Sequence, residues 1–253
     1  MEIRTPIIAI LVLAILMVIY LRKNIPQVFS TRVFFGFLVT ACLCLVSEII
    51  ECAVFTQLDS SFRVLRRTTQ GFYVGTLILS VFMLALYVYA KANHGRMISK
   101  LMIAIMTAPG LIAVLAIIVG EIYYTRSASG QYYSYGPAIV ACYMVGFCYI
   151  IATLIYALAH RKRLHKEECR AIVVGLVLWL VLTLFQFLFH GYQVSAVGIM
   201  LMALILFLAM ENPKEFYEKN MPNIRNKEAF TLTLVEKFGF KQNFFIASVI
   251  FTG

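Results

Sequence analysis

The chain has 253 residues, 62% of them hydrophobic and 13% charged, with a net charge of +10, whereas an ordinary soluble domain is about 25% charged. This balance excludes a soluble globule, a disordered chain and a disulfide-stapled secreted domain. It leaves a protein that crosses a membrane several times.

Charge-free runs at residues 5–21, 33–47, 68–90, 101–120, 127–160 and 171–210 predict seven helices, at about 5–21, 33–55, 71–90, 97–120, 137–159, 171–190 and 193–210. The first lacks the small-x-small cleavage site of a signal peptide and is followed directly by Arg22-Lys23, so it reads as a retained anchor. In the fourth, Pro109-Gly110 predicts a kink, because proline removes a ladder hydrogen bond. The last run would be ~60 Å long as one helix, twice the ~30 Å bilayer core. It must therefore fold back, and His190-Gly191-Tyr192 is the place for the turn. Stretches such as residues 77–84 show no period-two alternation, which excludes an outer-membrane barrel. The expected fold class is an all-α membrane protein, a seven-transmembrane-helix bundle over residues 1–210 with a short cytoplasmic tail.

Basic residues set the expected orientation. The first, third and fifth connections and the tail hold 17 of the 22 lysines and arginines; Arg4, Arg63, Arg66, Arg67 and Arg126 lie on the other side. By the positive-inside rule the N-terminus is outside and the C-terminus cytoplasmic, in the cell membrane. The net charge then reflects topology and anionic inner-leaflet lipid, and no nucleic-acid partner is expected. The six cysteines include no C-x-x-C pair, and neither a metal nor a cofactor is expected.

Within the spans, ionisable groups are few and gathered toward the outer side. Glu48 and Glu51 lie three residues apart on the second helix and so share a face. Glu121 ends the fourth helix, and Gln186 and His190 lie one turn apart at the outer end of the sixth. A carboxylate inside a membrane is a functional-site hypothesis by default. The functional reading is an outward-facing pocket for a small ligand, lined by Glu48, Glu51, Glu121, Gln186 and His190. The structural alternative pairs the two glutamates with Arg63, Arg66 or Arg67, and makes Tyr123, Tyr124 and residues 132–135 an interfacial aromatic belt. Two well-known seven-helix functions lack support. The last span has no lysine for a retinal Schiff base, and Asn212-Pro213-Lys214-Glu215-Phe216 lacks the tyrosine of the receptor N-P-x-x-Y element.

After Met210 the composition changes. Residues 211–227 read as a polar linker, residues 228–240 as an amphipathic helix, and residues 244–251 as a buried strand. From Tyr132-Tyr133-Ser134-Tyr135-Gly136-Pro137 through the basic fifth connection to the tail, the chain resembles the membrane-anchored GGDEF (diguanylate-cyclase-type) signalling proteins of Gram-positive bacteria. Asn226-Lys227-Glu228-Ala229-Phe230 looks like the N-R-x-x-F that opens a GGDEF domain, and residues 245–251 resemble that domain's first core strand. In the family's D-x-L-T-G-L-x-N-R entry motif, Lys219 stands at the Asp, Pro222 at the Thr and Asn223 at the Gly; no G-G-D/E-E-F occurs.

The resemblance implies a seven-helix sensory input region, with residues 228–253 the truncated start of a degenerate GGDEF-like domain. It implies signal transmission to a cyclic di-GMP output domain, homodimerisation through that domain, and no catalysis by this chain. The alternatives are the input region of a sensor histidine kinase and a small transporter that uses Glu48 and Glu51.

Overall fold

A computed structural model describes residues 4–22, 29–57, 62–93, 99–126, 132–189, 194–211, 217–218 and 221–225. These form helices α1 (Arg4–Arg22), α2 (Phe29–Gln57), α3 (Arg63–Ala92), α4 (Lys100–Val119), α5 (Pro137–Ala159), α6 (Lys166–Leu188) and α7 (Ser195–Met210). Between α4 and α5, strands β1 (Tyr123–Arg126) and β2 (Tyr132–Tyr135) pair antiparallel, with Tyr123 opposite Tyr135 and Tyr124 opposite Ser134. Beyond α7, β3 (Tyr217–Glu218) and β4 (Met221–Arg225) make a second small antiparallel pair, within the stretch expected to be a linker. The helix and strand expected at 228–251, the Asn226–Phe230 motif and the turn at 190–192 lie outside the described residues.

The molecule is mostly helical, and α1 to α6 are each long and apolar enough to cross a membrane. The seventh helix has 16 residues, a rise of ~24 Å. In the bundle α1, α2, α3, α5, α6 and α7 pack as successive neighbours, α7 closes back onto α1, and α4 lies outside against α3 and α5. The core holds Phe34, Phe37 and Leu38 of α2, Tyr87 of α3, Trp179 of α6 and Ile199 and Leu206 of α7. By contrast α4 buries only Ala113 and exposes Leu111, Ile112, Leu115, Ile118 and Val119. So broad an apolar surface is what a helix presents to lipid.

Three helices begin several residues earlier than the charge-free runs indicate: α2 at Phe29, α3 at Arg63 and α6 at Lys166. The first two turns of α3 carry Arg63, Arg66, Arg67 and Gln70. Arg67 reaches the C-terminal end of α4, donating to the carbonyls of Ile118 at 2.9 Å and Gly120 at 3.0 Å, which satisfies acceptors a helix end leaves open. At the start of α6 the His165 N–H donates to Glu168 Oε2 at 3.3 Å, and Glu167 and Glu168 in its first turn complement the helix dipole.

The fourth helix runs continuously through Pro109. Its damaged ladder is repaired from α5: the Tyr149 hydroxyl accepts from the Gly110 N–H at 3.0 Å and donates to the Met106 carbonyl at 2.6 Å. Met106 and Gly110 are i, i+4 partners in the rung next to the Ile105 carbonyl, which Pro109 cannot serve, so the phenol bridges the turn beside the proline.

Candidate functional site

The hairpin end of the bundle contains a pocket of about 90 Å³, lined by α2, α3, α5, α6 and α7 with Tyr133 and Ser134 of β2. Its polar side chains include Glu51, Gln70, Tyr73, Tyr143, Gln186 and Ser195, and its apolar wall includes Ile78, Val81, Ile139, Ile150 and Trp179. A few convergent polar groups beside a large apolar wall are the usual make-up of a small-molecule site.

Glu51 and Gln186 of the five expected site residues line this pocket. Glu51 is 2% exposed, and its Oε2 is buried without a hydrogen-bond partner among the described residues. Glu48 is fully buried one turn away and lies outside the lining; neither of its carboxyl oxygens has a hydrogen-bond partner among the described residues. Glu121 is exposed and accepts a hydrogen bond from the Tyr123 hydroxyl, which pushes that phenol's pKa up; it does not join the pocket. His190 lies outside the described residues.

Among the described residues no ion pair links Glu48 or Glu51 to an arginine. Arg67 is engaged at the end of α4, and the Arg66 guanidinium lies 5.1 Å from the centre of the Phe55 ring. Tyr124 packs its ring against Phe55 at 5.1 Å, with its hydroxyl buried and without a hydrogen-bond partner among the described residues. Burial pushes its phenol up to about 12, and the nearby Glu51 charge adds to the effect.

Gln186 has a second role. Its Oε1 accepts from the backbone N–H groups of Val194 at 3.0 Å and Ser195 at 2.9 Å, and its Nε2 donates to the Tyr143 hydroxyl at 3.0 Å. It thereby caps the start of α7 from α6, supplying acceptors to N–H groups that a helix N-terminus leaves open. On the facing side Tyr73 and Ser195 share a hydroxyl–hydroxyl bond of 2.7 Å between α3 and α7.

The opposite end of α3 carries a cluster that the sequence reading did not single out. Lys91 Nζ lies 3.2 Å from Glu211 Oε1 and 3.7 Å from Glu168 Oε1, and the Tyr87 hydroxyl donates to Glu211 Oε1 at 2.8 Å. Glu211 is fully buried, the first residue beyond α7. The cluster binds the ends of α3, α6 and α7, and all three helices run from the pocket to it.

No known protein family matches the chain, and no curated protein does.

Proposed function

We propose that this chain is the membrane input module of a bacterial signalling protein. It crosses the membrane seven times, with its N-terminus outside and its tail cytoplasmic, and takes a small ligand in the hairpin-end pocket. The tail passes the state of the pocket to a GGDEF-type output domain. The observation that carries this reading is the pocket itself, where buried acceptors on Glu51 and Gln70 lack partners among the described residues. The preponderance of Lys and Arg in alternate connections supports the orientation. The short α7 spans if the bilayer thins locally around it, at a modest cost per ångström of mismatch.

Transmission requires two packings with different ligand affinity. The helix α3 presents Gln70 and Tyr73 to the pocket and Tyr87 and Lys91 to the ionic cluster. A displacement of α3 against α7 at one end therefore strains Lys91 and Glu211 at the other, immediately before the tail. Within this scheme the chain is a receiver and has no catalytic role.

A ligand-independent test uses Gly146, a pocket residue at which an added Cβ meets nothing within 4 Å. The chain is extended with a complete diguanylate cyclase domain, and cyclic di-GMP synthesis is measured in membrane vesicles. Filling the pocket with Gly146→Leu is expected to change output by about fivefold or more, the low end of ordinary allosteric couplings. Unchanged synthesis in both G146L and E51Q would remove the pocket from signalling.

The buried oxygens of Glu48, which have no partner among the described residues, favour a second reading, a transporter that carries a proton or cation on the two glutamates. Solute uptake into vesicles, driven by a pH or sodium gradient and lost in E48Q, would establish it in place of the first.

A further inference from the structure

We propose that the pocket binds a small organic monocation, a primary alkylamine whose ammonium group meets Glu51 and Gln70 and whose hydrocarbon lies against Trp179. The inference deepens the reading of the pocket as a ligand site and rests on it.

The polar chemistry is one-sided. Among the described residues, the buried side-chain atoms without partners on the pocket wall are acceptors, Glu51 Oε2 and Gln70 Oε1, and Glu48, one turn from Glu51 and outside the lining, has two more. An unmet buried acceptor is costly, so the favoured occupant brings donors. An ammonium group carries three and no acceptor. Its charge also answers that of the carboxyl, and an amine and a carboxyl sharing one proton are net neutral however the proton is divided. Among the described residues no lysine or arginine lines the pocket, so an anionic headgroup would find a like charge and no counter-charge there.

The aromatic content points the same way. Tyr73, Tyr133 and Tyr143 line the polar part of the pocket with Glu51, and ring faces attract ammonium groups within about 6 Å of their centroids. Beyond them the wall is Ile78, Val81 and Trp179, which suits an alkyl chain and offers nothing to a second charge. The ligand is thus cationic at one end and apolar at the other.

Trp179 provides the readout, because it is the chain's single tryptophan, lines the pocket and is 1% exposed. The full chain in lipid nanodiscs is titrated with hexylamine, 1-hexanol and hexanoate while Trp179 emission is followed. The expected result is a saturable response to hexylamine at least about tenfold tighter than to hexanol, which is 1.4 kcal/mol, and no response to hexanoate. E51Q is expected to remove that preference, so that hexylamine binds no more tightly than hexanol. G146L is expected to abolish both responses. Equal affinity for amine and alcohol, tighter binding of hexanoate, or an undiminished amine preference in E51Q would overturn the cation assignment and leave the pocket reading intact. Silence of Trp179 toward all three probes would overturn both.

Discussion

Lys91 Nζ stands 3.2 Å from Glu211 Oε1, joining the end of α3 to the first residue after α7. Both side chains are withdrawn from the surface, at 9% and 0% exposure, and Glu168 shares the same lysine. Taking charges out of water is expensive, and removing one partner leaves the others uncompensated. Lys91→Met, which strands two carboxyls, is expected to destabilise the protein by about 3–5 kcal/mol. Adding Glu211→Leu to it should recover part of the loss. Thermal unfolding of the three proteins in detergent measures this; a double variant less stable than K91M alone would show that the cluster is not held by charge pairing.

The α4 ladder yields a second prediction. Tyr149→Phe leaves the Gly110 N–H and the Met106 carbonyl without the hydroxyl that joins them. The expected cost is about 1–3 kcal/mol. Pro109→Ala restores a backbone donor and lets α4 close its own rungs, so the double variant should lose less than Y149F. Additive losses in a double-mutant cycle would contradict this account of the phenol.

Gln186 and Glu51 line the same pocket but are expected to respond differently. Gln186→Leu withdraws the acceptor from two backbone N–H groups at the start of α7, a loss of about 1–2 kcal/mol by analogy with helix caps. Amide exchange at Val194 and Ser195 should accelerate in this variant. In E51Q it should not, because Glu51 supports no backbone group there.

Two glycines at the α6–α7 seam separate rigid from yielding neighbours. An added Cβ at Gly198 would come within 2.7 Å of Trp179 Cδ1, whereas at Gly175 the close atom is Met202 Sδ. A methionine end can swing aside, while a fully buried indole must carry its whole ring. Gly198→Ala is expected to shift the Trp179 emission maximum and lower stability more than Gly175→Ala. Equal effects would place the seam's rigidity elsewhere.

The apolar helices were legible because long charge-free runs stand out in the sequence, and their approximate positions follow from where charge stops. The starts of α3 and α6 were not, because Arg63–Gln70 and Lys166–Arg170 are helical and charged at once. The pairing of Tyr123 with Tyr135 likewise has no local signal beyond a tyrosine-rich segment.

For the site, Glu51 stood out as an ionisable group in an apolar run. Gln70 fell just before the expected third helix and so went unnoticed. Tyr73, Trp179 and the Lys91–Glu211 contact depend on helices far apart in sequence coming together, and periodicity within one helix carries no information about its neighbour. Gln186 was found for the pocket, but its cap on α7 requires knowing where α7 begins.

In the proposed scheme the pocket and the Lys91–Glu211 cluster are two ends of one coupled device. The most direct measurement is pulsed electron spin resonance between nitroxides at Lys100 and Leu208, exposed positions on α4 and α7, in a cysteine-free background in nanodiscs. Filling the pocket with G146L is expected to move the inter-label distance by about 2 Å or to redistribute two populations, as helix shifts in switching proteins do. It should do neither when K91M has already released the cluster. Superimposable distance distributions with the pocket open and filled would contradict the claim.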